Sequence, residues 1–322
     1  LLKLNDTVAL HPNLAPLKAL YDDGLLSIVQ GVGYPNPDRS HFRSMEIWQS
    51  GVVEGFESKG WIGRLFDHNC GNGHLDTGHA CSPSAAVNIG DTLNPALNGD
   101  GVGIALRDPE QFYRMTRLMK QGNTADTDTV AKDVGSPLDF LRRTATNAAL
   151  SADRVRRSVR RGGQGRGYPR NQFAKGLELI ASMIGGGMDT RVYYTSLGGF
   201  DTHANQKGQH ANLMKTLAEG IGAFQKDLDR RGVSDRVLTF TFSEFGRRVK
   251  ENGSRGTDHG QAASLFVFGK GVKPGIVGAQ PSLEKLNGGD LIYHTDFRRV
   301  YASVIDKWLK DDAAKILGAT FK

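Results

Sequence analysis

The spacing of apolar residues divides the chain into two regular stretches and an irregular middle. Residues 12–23 carry the period of a helix, which Gly24 closes. The apolar run 25–30 that follows reads as a strand ending in Gly31-Val32-Gly33. Past the turn Pro35-Asn36-Pro37-Asp38, Ser40 occupies an N-cap position ahead of a helix whose apolar residues are Phe42, Met45, Ile47 and Trp48. The second regular stretch predicts a helix over 171–184, stopped by Gly185-Gly186-Gly187, and a strand over 191–196. A long helix over 206–231 follows, with Leu213, Leu217, Ile221, Phe224 and Leu228 on its buried stripe. A strand over 236–242, a loop of about twenty residues, a strand over 263–268 and a helix over 296–309 complete it.

Alternation of strand with helix predicts an α/β fold, a mostly parallel central sheet with right-handed crossovers, flanked by helices. Between 61 and 165 the pattern loosens into glycine-rich loops, a strand over 84–89 and helical stretches over 109–120 and 138–161. This region reads as a largely helical insertion or cap within one domain spanning 1–322. In such sheets ligands bind outside the carboxyl ends of the strands, where the polar motifs of the second half fall.

Composition changes this picture little. A hydrophobic content of 39%, a charged content of 23% and 41 glycines describe a turn-rich globular protein and exclude a disordered one. The formal charge of +7 speaks to encounter with partners and not to fold. Its densest cluster, Arg154, Arg156, Arg157, Arg160, Arg161, Arg166 and Arg170, lacks the interleaved aromatics of a single-strand stacking platform. It reads as a solvated helix end and loop rather than a nucleic-acid site. No stretch approaches the ~20 apolar residues that span a bilayer. The chain opens at Leu1 without an initiator methionine, so a removed upstream segment, the place for an export signal, is expected. Cys70 and Cys81 enclose His74 and His79; a disulfide of an exported protein and a Cys/His metal site both suit these residues.

Four motifs carry candidate chemistry. Gly198-Gly199-Phe200-Asp201-Thr202-His203 follows a strand and supplies a hard oxygen and a borderline nitrogen for zinc or manganese; otherwise Asp201 caps the next helix and His203 lies on the surface. Ser243-Glu244-Phe245-Gly246-Arg247-Arg248 offers Glu244 to a metal and Arg247 or Arg248 to an oxyanion, or else a Glu–Arg pair that ties down a loop. Gly256-Thr257-Asp258-His259-Gly260 lies in the long loop between two strands, which is either functional or an ordinary turn. Ser40-His41 opens a helix, where Ser40 is a nucleophile, an anion ligand or a plain N-cap.

Together, Ser40-His41-Phe42-Arg43-Ser44, the motifs at 198–203, 243–248 and 256–260, and the closing Asp296-Phe297-Arg298-Arg299-Val300-Tyr301 resemble a bacterial family of unknown function, domain of unknown function 1501. That family is typically exported by the twin-arginine route and is placed in the alkaline phosphatase and sulfatase superfamily. The resemblance implies an alkaline phosphatase-like fold and a periplasmic or extracellular, metal-dependent hydrolase of phosphate or sulfate esters, acting on a small anionic substrate. It implies Ser40 as nucleophile, Asp201, His203 and His259 as ligands of one metal, and Glu244 as a ligand of a second, with zinc, manganese or calcium as the ion. Where the superfamily's phosphatases place Asp-His after a strand, this chain has Glu244-Phe245. The family's opening strand, with its glycine-rich turn and Asp, is expected before Leu1. A secreted binding or assembly protein of the same fold, without catalysis, is the competing expectation.

Overall fold

The computed structural model describes residues 1–71, 82–100, 102–121 and 137–322. Its main strands are β1 (Leu26–Gly33), β2 (Ala86–Ile89), β3 (Ile104–Leu106), β4 (Val192–Tyr194), β5 (Thr239–Phe240), β6 (Ala263–Phe268), β7 (Gly275–Val277) and β8 (Thr295–Asp296). The helices are α1 (Ala15–Asp22), α2 (His41–Ser50), α3 (Trp61–Gly71), α4 (Pro109–Gln121), α5 (Pro137–Gly162), α6 (Gln172–Gly185), α7 (Gln206–Arg230) and α8 (Phe297–Ser303).

β1 is buried at every position, which explains why its sequence is an apolar run without alternation. It pairs antiparallel with β6, from Leu26 opposite Phe268 to Val32 opposite Ala263. On its other edge it pairs parallel with β7 and β8, and β5 joins β6 antiparallel. A second sheet of β3, β2 and β4, in that order, is parallel throughout. The fold is therefore mixed α/β, and the expected mostly parallel central sheet is corrected to a five-stranded sheet of mixed direction beside a three-stranded parallel one. The reason lies in the connections. Parallel neighbours need a crossover of about a dozen residues or more, usually a helix. No helix intervenes between Phe240 and Ala263, so β6 returns antiparallel to β5.

The core joins distant segments. Trp48 stacks on Phe297 with ring centroids 4.3 Å apart, Trp61 stacks on Tyr301 at 4.6 Å, and the buried Tyr301 hydroxyl donates to the Trp48 carbonyl at 2.9 Å. Trp61, Ile62, Leu65 and Phe66, from the segment read as an insertion, share this core with Val29 and Val32 of β1. The arginine cluster is used within the fold. Arg156 and Arg160 pair with Glu110 of α4 at 2.9 and 3.1 Å, and Arg154 donates to the Ser82 hydroxyl. Cys70 is disulfide-bonded, while Cys81, His74 and His79 lie outside the described residues. Among the described residues no helix is long and apolar enough to cross a membrane.

Candidate metal centre

Three segments meet beyond the strand ends. The turn after β1 leads through Arg39 and Ser40 into α2, so His41 is that helix's first residue. Ser40 takes the N-cap position, but its side chain makes no capping hydrogen bond. One turn on, the Ser44 hydroxyl donates to the Glu244 carbonyl at 2.7 Å and lies 2.7 Å from the Tyr34 hydroxyl, which ties α2 to the 243–248 segment. That segment pairs with 258–260: Arg247 bridges His259, and the amides of Arg248 and Gly260 donate to the carbonyls of Asp258 and Gly246. The third segment, 198–205, is pinned by Gln206, whose Nε2 donates to the hydroxyls of Thr202 and Thr257, both at 2.8 Å. The N-cap of α7 is Asn205, so Asp201 does not cap the helix and faces the other motifs.

The carboxylate of Asp201 is the hub. Its Oδ1 accepts from Arg247 Nη1 at 2.8 Å and lies 2.9 Å from the Nε2 atoms of both His203 and His259; its Oδ2 lies 3.1 Å from His41 Nε2. The ligand atoms of His41, Asp201 and His259 all fall within 4.8 Å of one another. His203 adjoins them, its Nε2 2.9 Å from that of His259.

The far nitrogen of each ring is equally constrained. His259 Nδ1 lies 2.8 Å from the Arg39 carbonyl, His41 Nδ1 lies 2.7 Å from Glu244 Oε1, and His203 Nδ1 lies 3.2 Å from Asp258 Oδ1. A carbonyl and an ionised carboxylate only accept, so each Nδ1 carries a hydrogen, and each Nε2 faces the Asp201 carboxylate, to which a protonated Nε2 donates. Without those Nε2 hydrogens, three lone pairs and a carboxylate would face one another beside the Arg247 guanidinium. The cluster needs a further cation, either protons or a metal ion. Nitrogen and oxygen donors in this mix suit zinc or manganese. An imidazole anchored at one nitrogen by an oxygen and open at the other is the arrangement of metal-bound histidine. The donor set of His41, Asp201 and His259 fits a divalent ion, with His203 beside it.

Electrostatics follow the same geometry. Burial pushes Asp201 up, but hydrogen bonds from Arg247, His259 and His41 outweigh it and hold the carboxyl well below the usual range. Burial lowers His41, but Glu244 and Asp201 overcome this and raise it. Glu244 is lowered: burial opposes, while its own backbone amide, Ser243 and His41 favour the anion. Asn252 and then His203 lower Asp258.

Asp201, His203 and His259 are thus brought together. Glu244 stands behind His41, its Oε1 on that ring and its Oε2 accepting from the Ser243 hydroxyl at 2.7 Å. Arg247 is committed to Asp201 and to the hydroxyl and carbonyl of Thr257. Arg248 pairs with the buried Asp290. Phe245 packs its ring on His259 at 4.3 Å and on His41 at 4.9 Å. The residue that sequence reasoning passes over as a ligand is His41. Its signal was its place in the Ser-His motif at a helix start, just past a central strand.

Residues 109–297, more than half of the chain, match a family model described as "Protein of unknown function (DUF1501)". No curated protein matches the chain. Among solved structures, the crystal structure of Ps i-CgsB is similar over 96% of this chain and 67% of its own, with 12% identity and a TM-score of 0.40. Its complex with k-i-k-neocarrahexaose has the same coverage and identity and a TM-score of 0.41.

Proposed function

We propose that this chain, which belongs to the DUF1501 family, is an exported divalent-metal-dependent hydrolase of phosphate or sulfate esters in the alkaline phosphatase and sulfatase superfamily. The observation that carries the reading is the convergence of three imidazole Nε2 atoms on the Asp201 carboxylate, each ring held at Nδ1 by an oxygen. A bound ion supplies Lewis-acid polarisation of an ester oxygen. His41, Asp201 and His259 hold it, with His203 beside them. Glu244, Asp258 and the Arg39 carbonyl keep the rings in the ligating tautomer, and Arg247 keeps Asp201 ionised. Ser40, exposed and next to His41, presents a hydroxyl that capping does not consume and is the nucleophile in this reading. A disulfide at Cys70 suits an oxidising compartment, periplasmic or extracellular.

Metal analysis of the purified protein, followed by zinc, manganese and calcium titration and assay on aryl phosphates and aryl sulfates, tests the proposal. Stoichiometric metal that is lost in Asp201→Ala, with ester turnover lost in Ser40→Ala, is the expected result. Wild-type protein that takes up no metal overturns it. Metal uptake without turnover on either ester class replaces the hydrolase with a binding protein of the same fold.

A further inference from the structure

Beside the cluster lies an open depression of about 300 Å³ lined by Arg39, His203, Arg248, Asp258 and His259. Two of these residues bring guanidinium groups from opposite parts of the chain, and a single carboxylate holds both. Arg39 Nη2 lies 2.5 Å from Asp290 Oδ2, Arg248 Nε lies 3.3 Å from Asp290 Oδ1, and Asp290 itself is fully buried. The tight turn Gly288-Gly289, with φ of +59° and +93°, returns the chain so that Asp290 pairs with Asn287.

One arginine would neutralise one buried carboxylate. The second leaves a surplus positive charge at the rim. A guanidinium has five N–H donors; Arg39 spends one nitrogen on a hydrogen bond to Asp290, while Arg248 meets it as an ion pair in which neither Nε nor Oδ1 makes a hydrogen bond. Among the described residues the other nitrogens of both side chains have no hydrogen-bond acceptor, and the side chains remain 46% and 33% exposed. The carboxylate that shares the depression, Asp258, has its Oδ1 engaged by Asn252 at 3.0 Å and by His203 at 3.2 Å. Arg247, the other arginine that the motif offers as a clamp, is taken up by Asp201 and Thr257.

We infer that Arg39 and Arg248, spread and oriented by Asp290, form the receptor for a tetrahedral oxyanion, the sulfate or phosphate group of the ester; this rests on the hydrolase reading above. Planar forks with spare parallel donors match such an anion, and prior anchoring on Asp290 reduces the ordering that binding requires. Asp290 is a positioning residue that acts through the two arginines. A divalent ion in the adjacent cluster raises the affinity of the receptor, because it offsets the carboxylates of Asp201 and Asp258 that otherwise repel an anion.

Calorimetric titration of inorganic sulfate, inorganic phosphate and acetate into chelator-treated protein and into protein carrying stoichiometric zinc tests the inference. Sulfate or phosphate is expected to bind once per chain, tighter with zinc, and at least about tenfold weaker in Arg39→Gln and in Arg248→Gln. Zinc affinity stays unchanged in both variants, since Arg39 serves His259 through its backbone carbonyl. Asp290→Asn weakens the anion and not zinc, a split that a loss of folding would not produce. The inference is overturned if both arginine variants bind the anion as the wild type does, if zinc-loaded wild type binds neither anion, or if acetate binds as tightly. Wild type that takes up no zinc yet captures sulfate through Arg39 and Arg248 sinks the metal reading and supports the receptor.

Discussion

At the residue scale, the chemistry of the centre turns on which nitrogen of each histidine faces inward. Glu244 sets that choice for His41 across 203 positions of sequence, and its other oxygen is already satisfied by Ser243. Glu244→Gln keeps the shape but offers its amide nitrogen or oxygen without charge, so the ring loses both its orientation and part of its basicity. Zinc affinity is expected to fall about 10–100-fold, the usual cost of losing such a partner, measurable by competition with a chromogenic chelator. Proton binding gives a second test. Glu244 and Asp201 outweigh burial and raise His41, so its contribution to stability is complete below the unfolded value of about 6.5 and is lost as pH rises through the higher folded value. Asp201, Glu244 and Asp258 are lowered, so their contributions are present above about pH 4 and are lost as pH falls. Chelated protein should therefore melt highest in mildly acid buffer and lose stability as pH rises through neutrality. With zinc in place of the proton the alkaline decline should disappear; equal alkaline slopes with and without zinc would contradict this. Asp201, His203 and His259 are legible in the sequence because glycine-flanked Asp and His at strand ends have few structural duties. His41 is less so, since Ser40 beside it already accounts for the dipeptide as a helix start, and Asp290 has no local signal because its arginine partner at 39 lies 251 positions away.

At the scale of elements, backbone packing places the donors. A Cβ added at Gly256 would lie 2.2 Å from the His203 carbonyl carbon, and one at Gly246 would lie 1.8 Å from the Ala262 carbonyl oxygen. The motif glycines therefore let three chain segments touch backbone to backbone, which no larger residue allows. Gly256→Ala should force His203 away from Asp201, cost about 1–3 kcal/mol by overpacking, and lower zinc affinity together with the melting temperature. A variant with wild-type zinc affinity and stability would show that the contact relaxes without consequence. Element type and position are mostly legible from periodicity: α7 and β6 lie at 206–230 and 263–268 against expected spans of 206–231 and 263–268. Strand direction is not, because the pattern of β6 is the same whether β5 runs with it or against it. Only the absence of a helix between 240 and 263 distinguishes the two.

At the scale of the whole molecule, the aromatic stack of Trp48, Phe297, Tyr301 and Trp61 joins residues 48–61 to residues 297–301. Trp61 is buried against Tyr301 and belongs to the segment that reads as an insertion, so Trp61→Ala tests whether that segment is part of the cooperative fold. A loss of about 3–5 kcal/mol in a single denaturant transition is expected; a separate early transition would instead mark 61–165 as an independent unit. The partners of the centre are also drawn from the whole chain: His41 reaches 203 positions to Glu244, His259 reaches 220 to the Arg39 carbonyl, and Asp201 reaches 58 to His259. Closing loops of such length is entropically unfavourable until both sheets have formed. Assembly of the cluster is therefore expected to follow the pairing of segments distant in sequence, and to be read as zinc affinity that appears only late in refolding.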